Sequence, residues 1–379
     1  MRAVIDATAL GSGRGGDETM LRGAIRGLGL ASQGDDRFTV LADADADAEI
    51  GNLAGPGLRV ERMSRRPGAV HFSAQLPWYL ARRRSDFDVA FTVTHAPLRS
   101  PVPIALMVLD LSFLHLPDAY PRRTRQRLTS LVGHQARRAA AVLTVSEFCR
   151  RDLIDSYGLD PGGVHVVPIA IETPPPLPPE HRVRALAGLA RHQVDGPFLL
   201  YLGNLHPRKN VARTIRAFAE ARRTDAALHQ HQLVIAGGRW WGTGEEAEAE
   251  AAPPGSVVFL GRVDDDTRQV LLETADALIY VSRFEGFGLP PLEAMAASTP
   301  VLAGDAAAIP EVTGGAAMLV DPEDEGAITE GILRIVTDHR ERAELVERGR
   351  ARVAHYDPAT TGAAARAALA AAVSHTVIV

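Results

Sequence analysis

Two series of short apolar runs, separated by a proline-rich stretch, constrain this chain more than any other feature. The first series comprises residues 4–7, 38–42, 89–93, 104–109, 141–145 and 164–167. The second comprises 198–202, 233–236, 257–260, 277–281 and 300–303. Helix-length segments fall between them: 17–31, with Leu21, Ile25 and Leu28 on one face, a basic stretch over 121–140, and 211–223, 267–274 and 325–337. Apolar strands alternating with helices predict parallel sheets covered on both faces. Between the series, residues 172–180 hold five prolines in nine positions, which reads as a stiff linker, neither helix nor central strand. The expectation is an α/β chain of two Rossmann-like parallel-sheet domains facing across a cleft at the carboxyl ends of their strands. The first domain covers 1–171, the linker 172–181 and the second domain 182–357. An alanine-rich helix over 358–379 is expected to pack back on the first domain.

Composition narrows the class. The chain has 379 residues, 46% of them hydrophobic, and a formal net charge of −5, as expected of two globular domains. No apolar run reaches the roughly 18 residues that span a bilayer. Asp6 stands where a signal peptide would be apolar, so a cytoplasmic protein is expected. The single cysteine, Cys149, excludes an internal disulfide and a multi-cysteine metal site, and reads as a residue packed on a helix. From Arg59 to Arg151 there are 16 arginines against 6 acids. These read either as solvated helix faces or as a surface for an anionic membrane or a phosphorylated acceptor. Few aromatics sit among them, so no nucleic-acid partner is expected. Lys209 is the only lysine in the chain.

The segment Ser282-Arg283-Phe284-Glu285-Gly286-Phe287-Gly288-Leu289-Pro290-Pro291-Leu292-Glu293 follows a buried strand and carries the densest chemistry. Its glycines permit close backbone approach. A glycine turn that feeds a helix N-terminus offers N–H groups and a positive dipole end, suited to a diphosphate. Glu293, in the first turns of that helix, can accept two hydrogen bonds from a vicinal diol such as a ribose. Glu285, before the turn, is placed for sugar hydroxyls. A second turn, Gly203-Asn204-Leu205-His206-Pro207-Arg208-Lys209-Asn210, also joins a strand to a helix. Cations are unfavourable at a helix start, so Arg208 and Lys209 point to neutralisation of a diphosphate and of the charge on a leaving nucleotide.

Other candidates are weaker. Gly261-Arg262-Val263 follows a strand and could read a base edge through its backbone. Gly11-Ser12-Gly13-Arg14-Gly15-Gly16 matches the G-x-G-x-x-G spacing of a dinucleotide site, with Asp43 ending the second strand; it equally fits a loop closing over donor phosphates. Asp110 ends a strand and reads as an acceptor-orienting group or base, or as a helix cap. His95, His115 and His206 are scattered singly and read as structural. Asp43, Asp45 and Asp47, and Asp264, Asp265 and Asp266, imitate metal-binding acids, but both groups read as solvated loops. No metal site is expected.

Residues 282–300 resemble the signature of the family 4 retaining glycosyltransferases, with an E-x7-E pair at Glu285 and Glu293. Further segments resemble the same family: Arg2-Ala3-Val4-Ile5-Asp6-Ala7 its first strand, Gly15-Gly16 its donor loop, and Leu143-Thr144-Val145-Ser146-Glu147-Phe148 and Val166-Val167-Pro168 the end of its first domain. Residues 203–210 are similar to the phosphate-binding turn of its mannosyltransferase-like members. The resemblance implies the GT-B fold, a nucleotide-sugar co-substrate, no metal or cofactor, and retention by front-side attack assisted by the donor phosphate. By the family pattern Glu293 binds ribose and Glu285 the donor sugar. Arg208 and Lys209 hold the diphosphate with the amides of Phe287, Gly288 and Leu289, beside Gly286. GDP-mannose is the expected donor, ahead of UDP-, dTDP- and other GDP-sugars. The acceptor is a hydroxyl of a glycan, a lipid-linked or a small molecule. Three positions depart from the pattern. Asn204 stands where the family often has arginine, Ser298 where it often has glycine, and Leu109-Asp110 where it commonly has His-Asp. Two alternatives follow from the residues: a weakly active donor-binding partner subunit, and an NAD-dependent oxidoreductase using residues 11–16.

Overall fold

Short runs of valine, isoleucine, leucine and alanine with no polar face can satisfy their backbone only inside a sheet buried on both sides. The computed structural model describes residues 1–11, 16–43, 57–239 and 244–374. It divides into two compact units: Met1–Ala170 together with the chain from Tyr356 onward, and Ile171–His355. Gly15, Gly13, Asp45 and Asp47 lie outside the described residues.

The first unit holds a seven-stranded sheet in the order β3-β2-β1-β4-β5-β6-β7. Its strands are β1 (Arg2–Asp6), β2 (Arg37–Ala42), β3 (Leu58–Arg62), β4 (Val89–Val93), β5 (Ile104–Met107), β6 (Ala141–Thr144) and β7 (Val164–Val166). Every pairing is parallel. The second unit holds six strands in the order β10-β9-β8-β11-β12-β13: β8 (Phe198–Leu202), β9 (Gln232–Ala236), β10 (Val257–Gly261), β11 (Ala277–Tyr280), β12 (Val301–Gly304) and β13 (Met318–Val320). All are again parallel. The strand order reverses between β1 and β4 in one unit and between β8 and β11 in the other. Such switch points open a crevice at the carboxyl edge of the sheet. The core of the second unit packs Leu199, Tyr201, Leu233, Ile235 and Ile279 of the sheet against Ile215, Phe218, Ile328 and Ile332 of its helices.

Several elements differ from the sequence expectation, among them the helical run 68–82 and the helix His339–Val353; others differ for a plain local reason. Strand β3, Leu-Arg-Val-Glu-Arg, is an edge strand that leaves most of its residues exposed or half-exposed, so it lacks the apolar run that marks the others. Strand β13 is three residues long. The helix Pro179–Arg191 begins inside the proline stretch. Proline is tolerated at the first helical position because that N–H has no intrahelical partner. Asp264, Asp265 and Asp266 do not form a loop. Asp264 caps the helix Asp265–Thr274, accepting from the Thr267 amide at 2.8 Å, and the other two complement the positive end of that helix. Cys149 is buried in the helix Glu147–Tyr157 and donates to the Leu109 carbonyl at 3.3 Å. Burial pushes its thiol up to about 12, which leaves it inert at neutral pH. Among the described residues no helix is long and apolar enough to cross a membrane.

The helix Pro358–Ser374 belongs to the first unit, laid against the helix Gly16–Leu30. Gly27 and Gly362 set the crossing: a Cβ on Gly362 would stand 1.9 Å from the Gly27 carbonyl oxygen. Arg366 clasps the buried Asp36 at 2.7 Å. Gly362→Ala gains up to about 1 kcal/mol of helix propensity, but it forces the two backbones apart. We expect a net loss of about 1–3 kcal/mol, measured as a lower urea midpoint with unchanged slope.

Candidate functional site

The site in the second unit is built from the two loops that leave β8 and β11, the neighbouring strands at the switch point. Tyr201 and Tyr280, on adjacent strands, are fully buried and stack with centroids 6.4 Å apart. Burial, reinforced by Glu285, raises both phenols well above their ordinary range. The Tyr201 hydroxyl donates to the Asn204 carbonyl at 3.1 Å and so props the first loop. The same loop presses on the end of β9. A Cβ on Gly237 would lie 1.8 Å from the Gly203 carbonyl oxygen, so no other residue fits there. His206 caps the tight turn Pro207–Lys209, its Nδ1 accepting from the Arg208 amide. Asn210 closes the turn in a left-handed conformation and donates to the carbonyls of Val281 and Pro322.

That turn aims both cations at one carboxylate. Arg208 Nη1 donates to Glu285 Oε2 at 2.6 Å, and Lys209 Nζ lies 2.5 Å from Glu285 Oε1. Glu285 is 5% exposed. It also accepts from the Ser282 hydroxyl at 2.7 Å and the Tyr280 hydroxyl at 3.0 Å. Burial alone would raise its pKa. The charges of Arg208 and then Lys209 override burial and hold the carboxyl at about 2. Arg208 further donates to the Phe284 carbonyl at 2.7 Å, while its own carbonyl accepts from the Arg283 amide at 2.8 Å. The two loops are therefore one hydrogen-bonded body. Lys209 Nζ stands 4.9 Å from the Tyr280 ring centroid, a cation–π contact that fixes the ammonium.

Beyond Glu285 the chain turns through Gly286 and the buried Phe287 to Gly288, whose φ of 102° is open to glycine. The helix Leu289–Ala296 starts there. Prolines 290 and 291 carry no N–H, so of the helix's first three residues only Leu289 has a backbone amide. Glu293, one turn in, is half-buried and paired with Arg268 of the helix after β10. Gly261, with φ of 66°, ends β10, and its carbonyl accepts from the Gly237 amide at 2.8 Å. Arg262 is exposed, beside the half-buried Val263, and packs against Gly238. This turn lies at the carboxyl edge two strands from β8, roughly 10 Å away.

The structure thus brings Arg208, Lys209 and Glu285 together, with Asn204 on the loop that carries the two cations, and places the 286–289 loop, Glu293 and residues 261–263 along the same sheet edge. Asp110 and Gly16 belong to the first unit. Gly16 is exposed and opens its helix. Asp110 Oδ1 accepts from the amide and the hydroxyl of Ser112, at 2.9 and 2.5 Å, the cap geometry of an Asx turn. Asp43 accepts from the Arg65 amide at 2.8 Å.

Sequence reasoning missed Arg268, and it also missed a buried pair in the first unit. Asp6 ends β1 at that unit's switch point, and its Oδ2 meets His71 Nε2 at 2.7 Å. Gln75 faces the other ring nitrogen at 3.0 Å. Burial opposes the imidazolium, but the bond to Asp6 outweighs it and raises the His71 pKa above 6.5. Asp6 lies in the segment read as the first strand, but nothing in the sequence ties it to His71, which belongs to no motif quoted above.

Residues 27–174 match the model of Glycosyltransferase Family 4, and residues 190–352 match that of Glycosyl transferases group 1. The MMP alpha-(1->4)-mannosyltransferase of Mycolicibacterium hassiacum is 31% identical over 76% of this chain and 71% of its own. This chain belongs to glycosyltransferase family 4. The O-antigen chain mannosyltransferase B of Escherichia coli is 27% identical over 65% of each chain, so the match spans just under two thirds of that relative. Among solved structures, Anabaena HepE in complex with UDP-glucose superposes with a TM-score of 0.73 at 17% identity, covering 98% of this chain and 99% of that one. The sucrose-phosphate synthase of Thermosynechococcus elongatus superposes at 0.70 with 19% identity, over 96% of both chains. This glycosyltransferase therefore has the GT-B architecture of two Rossmann-like parallel-sheet units, and the dinucleotide reading of residues 11–16 is set aside.

Two outcomes follow for the glycosyltransferase. Glu285→Gln keeps the side-chain shape but strands two cations that are 18% and 11% exposed. It should cost about 3 kcal/mol of unfolding free energy, read from urea denaturation at pH 7; an unchanged midpoint would show that the cluster is not coupled to folding. His71 gains a partner on folding, so its contribution is complete below its unfolded pKa near 6.5 and is lost as pH rises through the higher folded value. The stability difference between the wild type and His71→Gln should therefore shrink from pH 6 to pH 9, tracked by chemical denaturation at each pH.

Proposed function

We propose that the protein is a retaining glycosyltransferase that moves a hexose from a nucleotide-diphosphate sugar to a hydroxyl of a glycan, lipid-linked or small-molecule acceptor, without a metal. The observation that carries this reading is the convergence of Arg208 and Lys209 on buried Glu285 at the switch point of the second sheet. GDP-mannose is the favoured donor. The mannosyltransferase names of the Escherichia coli and Mycolicibacterium relatives support it, as does the likeness of residues 203–210 to the turn of mannosyltransferase-like members.

In this reading the diphosphate docks against Arg208 and Lys209 and the amides of Phe287, Gly288 and Leu289. Two cations offset the charge that builds on the departing nucleotide as the anomeric bond breaks. Glu285 is ionised throughout the working range, so it is an acceptor of hydrogen bonds and not a general acid. It holds the two cations in place and takes sugar hydroxyls on its far side. Glu293 leaves Arg268 or shares it to accept the ribose diol, with residues 261–263 beside the base. The attacking hydroxyl enters on the face that the nucleotide leaves, and a donor phosphate oxygen takes its proton; no protein nucleophile takes part. Asp110 orients the acceptor through the carboxylate oxygen that Ser112 does not engage.

One observation favours a second reading. Leu109 stands where the family commonly places histidine near the transferred sugar, and its carbonyl is occupied by Cys149. A donor-binding partner subunit with weak activity would show that substitution. The first unit, with its arginine excess, is also read as making peripheral contact with the anionic inner face of a membrane.

A thermal-shift screen over GDP-, UDP- and dTDP-sugars separates these readings when paired with an assay of nucleotide diphosphate release. The preferred donor at a hundredfold excess over its Kd should stabilise the chain by about 2.7 kcal/mol. Glu293→Ala should abolish that shift. Binding without release would favour the partner subunit, and no binding by any donor would sink both.

A further inference from the structure

From Met63 to Ser85 the sequence contains five arginines and no acid. The structure folds the middle of this stretch into a continuous helical run of three pieces, Gly68–Val70, His71–Gln75 and Leu76–Arg82. Its inner face is spoken for. His71, Leu76 and Leu80 are buried, and Phe72 meets the His95 ring edge-on at 5.8 Å, just beyond the end of β4. Its outer face is not what a solvated helix shows. The exposed residues from 68 to 81 are Gly68, Ala69, Val70, Ser73, Ala74, Trp78 and Ala81, with no charge among them. Trp78 is 62% exposed and Val70 48%.

The charges sit at the two ends of this apolar face. Arg66 precedes it, and Arg82 and Arg84 follow it, all exposed. Arg82 lies over the Trp78 ring, 4.6 Å from the centroid. Arg83, between them, is committed elsewhere, to Glu61 and Asp86. An apolar strip with an exposed indole, with exposed arginines at both ends and no acid between Met63 and Ser85, fits a boundary that is negatively charged above and apolar beneath. Arginine stems can lie along the apolar layer while their heads reach phosphates, and indole prefers that depth. A polyanion in water would match the arginines but leave Trp78 and Val70 wet. A protein partner of ordinary composition would meet no acid between Met63 and Ser85 to answer its own lysines and arginines, and Asp86 just beyond is already paired with Arg83.

We propose that this helical run is the element by which the protein docks on an anionic lipid bilayer, with Trp78 entering the headgroup boundary and Arg66, Arg82 and Arg84 engaging lipid phosphates. The inference rests on the reading that the basic first unit contacts a membrane, and it assigns the contact to particular residues. Its inner face abuts the carboxyl edge of β1 and β4, through Asp6 on His71 and His95 on Phe72. Docking would therefore set that sheet edge next to the lipid surface, where a lipid-linked acceptor presents its hydroxyl.

The test is flotation of the purified full chain with vesicles of phosphatidylglycerol and phosphatidylcholine, against pure phosphatidylcholine. Binding is expected on the anionic vesicles alone and should weaken with salt. Trp78→Ser should lower the partition coefficient about tenfold. The triple change Arg66→Ser, Arg82→Ser, Arg84→Ser should lower it by about fivefold per arginine. Unaltered thermal unfolding of these surface variants would show that they remain folded. In a Trp240→Phe, Trp241→Phe background, Trp78 emission should shift to the blue and be quenched by brominated acyl chains. If the chain floats but neither variant weakens it, the docking element is misassigned while membrane contact stands. If emission is unchanged on binding, the contact is electrostatic only and the proposal fails. If nothing floats, the membrane reading falls with it.

Discussion

A carboxylate that is 5% exposed can stay ionised only if something nearby repays the lost hydration. Glu285 is held by Arg208 and Lys209 together, with hydroxyls of Ser282 and Tyr280 completing its shell. Much of the second unit's carboxyl edge follows from this arrangement. The turn Pro207–Lys209 must present two adjacent cations inward, which explains the His206 cap and left-handed Asn210. The loop after β11 must reach back to β8, which explains why Arg283 and Ser282 bond to the Arg208 backbone. The tyrosine pair beneath gives both loops a rigid floor. A site assembled this way is pre-organised for negative charge, because its donors are already oriented before any ligand arrives.

Both units place a buried ionic pair at the same topological position. In the first it is Asp6 with His71, at the end of β1 beside β4; in the second it is Glu285 with its two cations, at the end of β11 beside β8. The reversal of strand order sends the flanking helices to opposite faces and leaves the carboxyl ends uncovered there. Polar groups at that edge can be partly desolvated without being sealed. The two differ in pH response: the imidazolium of the histidine pair is lost as pH rises through the raised His71 pKa, whereas the glutamate cluster keeps its charge down to about pH 2.

The sheets were legible because eleven of their strands are short apolar runs, and strands buried on both faces must be. Strand β3 escaped because an edge strand need not bury either face, and β13 because three residues carry too little pattern. Pro179 misled because the same ring that forbids a helix interior suits a helix start. In the candidate site, Arg208, Lys209, Glu285 and Glu293 stood out as charges in glycine-bearing turns after strands. Their pairing did not, since Arg208 and Glu285 are 77 residues apart and meet only because β8 and β11 are neighbours. Arg268 was invisible for a different reason. In a chain where arginine replaces nearly every lysine, one more arginine on an amphipathic helix carries no signal until Glu293 is seen opposite it.

That near-absence of lysine has a practical side. The one ε-ammonium of the sequence is also one of the two cations on Glu285. Selective isotope enrichment of lysine would thus produce a single side-chain resonance, and that resonance would originate inside the charge cluster. Side-chain acylating reagents would likewise have one ammonium to find, held under a carboxylate and over an aromatic ring. The molecule carries a built-in reporter at the position where a donor's phosphates are proposed to sit.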